Sequence, residues 1–510
     1  MTSLWLDTRQ VRTDTTLIDG IPQTKSDVVI IGAGLTGLVC ALECARAGLR
    51  VAVLDARGVA EVTTGLTTAK ASCLQGAKAS EIAHKHGADA AREYMTINQA
   101  ALDWIRAFCA TSGVEVQQRT AYTFAQHDSS LRIVEREAES ADAAGLRVES
   151  ARGAPAESVP FPVAGYVALK NQLQFNPVSL ADSLVAAIVE LGGTVHRGIR
   201  VRRVSTTGSV TVHTSRGDIP TDRVVLATGT PILDRGFFFA KLEAQRSYLA
   251  AFAVPNGTQP LTGMYVSVDP PDVAPTRSLR SAPGHLLVGG NGHVVGRAAN
   301  TRMCARNLVD WTQHYFPSLS PTHQWSAQDY QTVDGLPVVG ALTPTSDKVL
   351  FASGYAKWGM TNGVAAGRIL SARLAGGSSD SIPGATLFDS QRSIAIRRLP
   401  SFAATNAKVG VHVATGWAQF AHTTAQPPAE GEGVVHRSGW RPVASSTVDG
   451  HTRTVSAVCP HLKGLVCWNS AERTWDCPLH GSRFSADGTL LEGPATRDLA
   501  STTSPQWKGK

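Results

Sequence analysis

Two short segments near the C-terminus constrain this chain more than any others: Cys459-Pro460-His461, and Cys477-Pro478-Leu479-His480 running on into Gly481-Ser482-Arg483-Phe484. A two-iron cluster in which one iron takes two thiolates and the other two imidazoles needs two Cys-plus-His pairs on facing loops. Cys-x-His and Cys-x-x-His supply them. The same four side chains could instead close round a structural zinc ion, the usual use of a bare Cys2His2 set. Context favours the cluster. Pro460 and Pro478 stiffen the two loops, and Gly481-Ser482 can bring amide and hydroxyl donors to cluster sulfur. A one-electron carrier needs an electron source, and the rest of the chain is read as that source.

The chain has 510 residues, 43% of them hydrophobic and 17% charged, which by length alone suggests roughly two to four domains. The formal charge of +7 comes from scattered Lys and Arg. Their densest group, Arg197, Arg200, Arg202 and Arg203, reads as the solvated face of a strand, so no nucleic-acid partner is expected. Of eight Cys, Cys459 and Cys477 belong to the cluster; Cys40, Cys44, Cys73, Cys109, Cys304 and Cys467 show no disulfide spacing, which suits a reducing compartment. Residues 1–25 lack a signal-peptide pattern and no run is apolar enough to span a bilayer, so a cytoplasmic protein without a membrane span is expected.

The start of the chain carries the second strong signal. Asp27-Val-Val-Ile-Ile31 reads as a buried strand, followed by Gly32-Ala-Gly34-Leu-Thr-Gly37 and an Ala/Leu-rich helix. Gly32 permits a tight turn, Gly34 lets backbone approach a pyrophosphate, Gly37 lets helix pack on strand, and the helix N-terminus faces the anion. A second strand, Arg50-Val-Ala-Val-Leu54, ends at Asp55, placed to accept hydrogen bonds from ribose hydroxyls. FAD and NAD share this fingerprint, and three later features favour FAD. They are the hydroxyl-rich loop Val62-Thr-Thr-Gly65-Leu-Thr-Thr-Ala-Lys70, the strand-to-turn segment Asp222-Arg-Val-Val-Leu-Ala-Thr228-Gly229, and Val349-Leu-Phe-Ala-Ser-Gly354-Tyr-Ala-Lys-Trp-Gly359.

Between these motifs, residues 80–109 read as one or two amphipathic helices and 138–156 as a polar, Ala-rich excursion. Asn176-Pro177 opens a helix with Leu180, Leu184, Ile188 and Leu191 on one face and Gly192-Gly193 as its stop. Residues 245–296 hold short β-rich segments. Gly289-Gly290-Asn-Gly292-His-Val-Val-Gly296 imitates a second nucleotide loop, but its spacing is wrong and no helical pattern follows. No NAD(P)H-binding domain is therefore expected. Residues 376–430 read as a connector, and the β-rich pattern after it suits a small all-β domain.

Taken together, residues 27–375 resemble the D-amino-acid oxidase/glycine oxidase (DAO) superfamily of FAD-dependent oxidoreductases, and the C-terminal loops resemble a Rieske [2Fe–2S] domain. The resemblance implies an α/β FAD-binding Rossmann-type domain with an antiparallel α+β substrate domain inserted mainly at 245–330, and a small all-β Rieske domain over 431–510. Residues 1–26 would be an N-terminal extension. It implies non-covalent FAD held by Gly32, Gly34, Gly37, Asp55, Thr67, Thr68, Lys70, Val201, Thr228, Gly229, Gly335, Gly354, Gly359 and Thr361. It also implies a cluster held by Cys459, His461, Cys477 and His480. Candidates beside the flavin ring are Lys70, Tyr248, His293, Lys357 and Trp358. Packing roles compete for Tyr248, His293 and Trp358, and plain surface charge for the two lysines. Amino-acid-oxidising relatives place a carboxylate-binding Lys where Thr361 stands, and their covalent-flavin Cys is not recognisable here.

A flavin takes two electrons and a Rieske cluster passes one at a time. The expected reaction is dehydrogenation of a small organic substrate, at the C–N bond of an amine, with electrons leaving through the cluster to an external one-electron acceptor. An O2-using amine oxidase with a structural Rieske domain is the first alternative, and an NAD(P)H-fed reductase for a partner oxygenase the second. High-potential Rieske proteins add a disulfide between the two loops and a Tyr hydroxyl near sulfur. Gly464, Leu479 and Phe484 stand at those positions here, leaving Ser482 as the hydroxyl donor, so a potential low in the Rieske range is expected.

Overall fold

The computed structural model describes residues 2–9, 17–156, 159–255, 258–377, 382–392 and 427–502. The strand Ser26–Ile31 lies at the centre of a nine-stranded sheet, parallel to Val51–Leu54 on one side and to the end of Gly217–Leu226 on the other. Thr194–Arg197 and Leu17–Asp19 extend the first side in parallel. Val349 to Phe351 pairs in parallel with Gly217–Leu226, whose other end turns antiparallel through Val210–Thr214 to Val201–Ser205. Ser26–Ile31 and Val51–Leu54 are almost wholly buried, as an apolar run covered on both faces should be. Their cover is the helix Leu35–Arg46, against which Gly359–Leu374 packs. The crossing is close because Gly367 sits where a Cβ would be 2.8 Å from the Thr36 carbonyl oxygen.

The second nine-stranded sheet is antiparallel except where Met264–Ser267 runs parallel to Val116–Ala125. Its long strands Leu242–Ala253, His285–Val294 and Ser320–Thr332 pair along most of their lengths. The Gly289-to-Gly296 decoy mostly falls on one of these strands. The helix at 177–190 forms with Asn176 accepting from the amides of Val178 and Ser179. Leu180, Leu184 and Ile188 are buried, whereas Leu191, expected on the same face, caps the helix end and is 49% exposed. Residues 78–112 form two helices, Lys78–His86 and Ala88–Ser112. The segment expected as an excursion from 138 begins inside a helix, Leu131–Ala143, whose Glu137 accepts hydrogen bonds from the amides of Ala79 and Ser80. An Ala-rich composition suits that helix better than a loop.

Residues 382–392 pack on the first domain: Phe388 is fully buried against Tyr94, and Arg392 pairs with Asp334. Residues 393–426, the middle of the expected connector, lie outside the described residues. The C-terminal domain has a three-stranded antiparallel sheet, Gly433–Ser438, Arg441–Val448 and His451–Ser456, and a four-stranded one from Cys467–Asn469 to Leu490–Glu492. Trp475 and Phe484 fill the core between the cluster loops.

Candidate functional site

A cavity of about 680 Å³ begins at the Gly-rich turn and ends beneath the antiparallel sheet. At its first end Gly32 has φ 111°, and a Cβ there would lie 2.4 Å from the Ala227 carbonyl oxygen. A Cβ at Gly37 would fall 2.0 Å from the Gly32 oxygen, so Gly37 stands behind the wall and lets the helix sit on the turn. Asp55 is held by the amides of Ala33 and Arg57, both at 2.8 Å, and burial raises its carboxyl above the usual range against those two donors. Thr64, not among the expected contacts, accepts from the first helical amide, Leu35. Val201, Thr228 and Gly229 line the same end.

Thr67, Thr68, Lys70, Tyr248, Lys357, Trp358 and Gly359 line the rest of the cavity. The Thr-rich loop is braced from below by the Leu4–Asp7 helix: Trp5 donates its indole N–H to the Thr67 oxygen and Ser3 its hydroxyl to the Gly65 oxygen. Lys70 starts a two-residue strand and is buried; its Nζ donates to the Tyr265 oxygen at 3.1 Å and to Ser278 Oγ. Burial pushes this amine well below its ordinary value, and nearby Arg280 adds to the effect. Ala356 and Lys357 both have positive φ, which turns the chain sharply into the helix Gly359–Leu374. Lys357 is exposed and lines the cavity. Desolvation lowers its ammonium, opposed by the charge of Asp329, which accepts from the Lys357 amide.

Besides Gly37, four expected residues stand outside the cavity wall. Gly335 and Gly354 sit in positive-φ turns. Thr361 is buried and accepts from Gln75 at 3.0 Å. His293 holds its Nδ1 to the Val294 oxygen at 2.9 Å, which leaves Nε2 to take the hydroxyl of Tyr248 at 3.1 Å. The wall also contains Gln75, Arg277, Ser278 and Asp329, for which the sequence offered no motif. Arg277 is buried, bonds Asn291 and Asn307, stacks on Trp311 and is pushed down to about 10 by burial. One signal was present: residues 326–331, Ser-Ala-Gln-Asp-Tyr-Gln, make an unusually polar stretch within a central strand.

In the C-terminal domain the four expected ligands come together. The Cys459 and Cys477 thiols lie close enough to share a hydrogen bond, and the Ser482 hydroxyl and His461 amide also point at Cys459. The amides of Leu479 and His480 point at Cys477. The imidazoles of His461 and His480 are 5.0 Å apart at 82°. His480 Nδ1 is buried without a partner, and burial together with His461 holds the ring neutral, down to about 4. A neutral ring with an orphaned buried lone pair is what an iron ligand needs. Among the described residues no three His, Cys, Asp or Glu side chains converge as a single metal ion would require. Two thiols paired with each other and two imidazoles paired with each other match a two-iron cluster, where each iron takes two protein ligands. A Cβ on Gly464 would lie 2.6 Å from the Leu479 side chain, so packed hydrocarbon fills the space between the loops.

The cavity and the cluster loops share one wall. On the strand Ser320–Thr332, Ala327, Asp329 and Gln331 line the cavity. Gln328, between them, faces the other way and donates to the Gly481 oxygen at 2.8 Å, while Tyr330 lines the cavity and also reaches the Gly493 oxygen at 3.4 Å. The period of two along a strand produces this division. On the neighbouring strand Ala244 touches Gly481, where a Cβ would be 2.5 Å away, and buried Arg246 lies 3.6 Å from buried Asp476. Gly296 abuts Pro478, and Arg57 and Arg200 donate to the carbonyls of Leu491 and Leu490. Arg200, expected on a solvated face, is thus an interdomain contact.

Comparison with known proteins agrees with this layout. A family profile described as FAD dependent oxidoreductase (DAO) matches residues 27–373, and one described as Rieske [2Fe-2S] domain matches residues 421–503. YhfW of Bacillus subtilis strain 168, which bears the name of a Rieske 2Fe-2S iron-sulfur protein, is 29% identical over 485 residues, 93% of each chain. Among solved structures, glycine oxidase from Geobacillus kaustophilus superposes with a TM-score of 0.59 at 16% identity, over 72% of this chain and 99% of its own. L-proline dehydrogenase from P. horikoshii gives 0.56 at 16% identity, over 70% and 93%. At such identities the likeness is one of fold.

Proposed function

From a chain that belongs to the FAD-dependent oxidoreductase (DAO) family and carries a Rieske [2Fe–2S] domain, we propose an enzyme that dehydrogenates a small amine at its C–N bond and delivers the electrons singly to an external acceptor. Bound FAD would supply two-electron acceptance, and the cluster its conversion into one-electron steps. The observation that carries the reading is the shared wall: neighbouring residues of one strand, Gln328 and Asp329, face the cluster loop and the FAD cavity respectively. The names of two structural neighbours, L-proline dehydrogenase and glycine oxidase, point to amino acids, which carry a C–N bond of the kind proposed.

In this reading Lys70 takes the proton that a substrate ammonium must shed before hydride can leave the neighbouring carbon. As a neutral amine it has two N–H donors, which Tyr265 and Ser278 occupy, and one lone pair free for that proton. Lys357 and Trp358, which also line the cavity, orient the substrate.

Anaerobic mixing tests the proposal. Flavin absorbance should bleach with an amine and not with NADH, reoxidise slowly in air and reoxidise quickly with an artificial one-electron acceptor. Bleaching by NADH would instead point to a reductase. Rapid reoxidation by O2 that survives His480→Ala would point to an oxidase with a structural cluster domain.

A further inference from the structure

The outer edge of both cluster imidazoles is covered by the first domain. Asp234 leads into the turn Arg235–Ala240, in which Gly236 has φ 77° and Phe237 φ 55°. Phe237 is in the left-handed region, which an L-residue with a bulky side chain adopts at a cost, and its ring is 70% exposed, so its own burial does not repay that cost. The turn delivers two neighbours to the cluster loops. Phe239 meets the His480 ring edge-on at 5.3 Å and the His461 ring at 6.3 Å. Asp234 Oδ1 lies 2.6 Å from His461 Nε2, and the His461 side chain is left only 7% exposed.

We propose that Asp234 is a positioning residue for the cluster and sets its potential low. Its carboxylate accepts the Nε2 proton of His461, which fixes the tautomer, turns the Nδ1 lone pair inward and makes the imidazole a stronger electron donor, as carboxylate partners of ligating histidines do. The negative charge beside the ligand also opposes arrival of a further electron. While Asp234 holds Nε2, no external acceptor can bond to His461. The role attributed to the cluster under the proposed function gives this contact its purpose, but the contact is testable without it.

The test is a redox titration, followed by electron paramagnetic resonance, of the full-length holoprotein with Asp234→Asn and Asp234→Glu, compared at equal iron and FAD content. Asparagine keeps the shape and removes the charge; glutamate keeps the charge. The midpoint of D234N should rise, so that the reduced-to-oxidised ratio at a given solution potential changes on the order of tenfold, about 59 mV for one electron, and D234E should return it toward the parent protein. An unchanged or lowered midpoint in D234N, or a D234E protein displaced as far as D234N, overturns the proposal. The titration uses a chemical reductant, so its failure leaves amine dehydrogenation standing. Failure of every amine to bleach the parent flavin would leave the titration equally valid.

Discussion

Lys70 is the residue on which the proposed chemistry turns. A lysine in the wall of a cavity normally stays charged, but here desolvation outweighs any anionic compensation, and the amine is held well below its ordinary value. The neutral form accepts the substrate proton, so the rate of anaerobic flavin reduction should rise with pH through the depressed Lys70 ionisation and level off above it. Lys70→Met keeps the apolar stem and removes the lone pair. Compared at equal FAD content, it should slow flavin reduction by roughly 10²-fold or more and abolish that acid limb, as stopped-flow absorbance across a pH series would read. Tyr248 carries less of the argument, because its hydroxyl is taken by His293.

At the scale of elements, the two cluster loops are joined by packing where high-potential Rieske domains use a disulfide. Leu479 lies over Gly464, Phe484 is fully buried where a Tyr hydroxyl would serve, and Ser482 remains, its hydroxyl directed at Cys459 while it accepts from the Ala495 amide. Fewer donors to sulfur leave the reduced cluster less stabilised. The midpoint should therefore fall in the lower half of the Rieske range of roughly −150 to +300 mV, which a titration of the parent holoprotein measures directly. The strand Ser320–Thr332 makes a second element-scale point. Its central residues are polar because they meet two partners, the cavity at Asp329 and Gln331 and the cluster loop at Gln328, with Tyr330 reaching both, so hydrophobic alternation is absent there.

For the whole molecule, the seating of one domain on the other decides whether cavity and cluster work together. Arg246 and Asp476 are both buried, and Arg246 also donates to Ser326 and Gln328. Asp476 retains Arg483 at 3.7 Å, Asn469 and Thr474 within its own domain. Arg246→Met should thus weaken the seating by about 3 kcal/mol, the low end for breaking a buried pair. Scanning calorimetry should show the C-terminal domain melting earlier. Substrate-driven cluster reduction should slow while flavin reduction keeps its rate.

Much of this protein was legible in its residues because the relevant chemistry is local. Gly32, Gly34, Gly37 and Asp55 lie within one βαβ unit, and the four expected cluster ligands lie in two short loops, so spacing marks a dinucleotide turn and a metal centre, and neighbouring segments supply the choice of FAD and of a two-iron cluster. Residues such as Gln75, Arg277 and Asp329 were not legible, because they reach the cavity from separate strands and loops through pairings that no local pattern encodes. The family resemblance implied cofactor contacts at Gly335 and Gly354; both have positive φ, and neither lines the cavity. The sequence by itself determined the two cofactor-binding units and their order along the chain. Only the tertiary structure decided that one strand faces both, that His461 is closed off by Asp234, and that Arg200 is an interdomain contact. Those relations depend on long-range strand register and domain docking, and neither is written in the spacing of neighbouring residues.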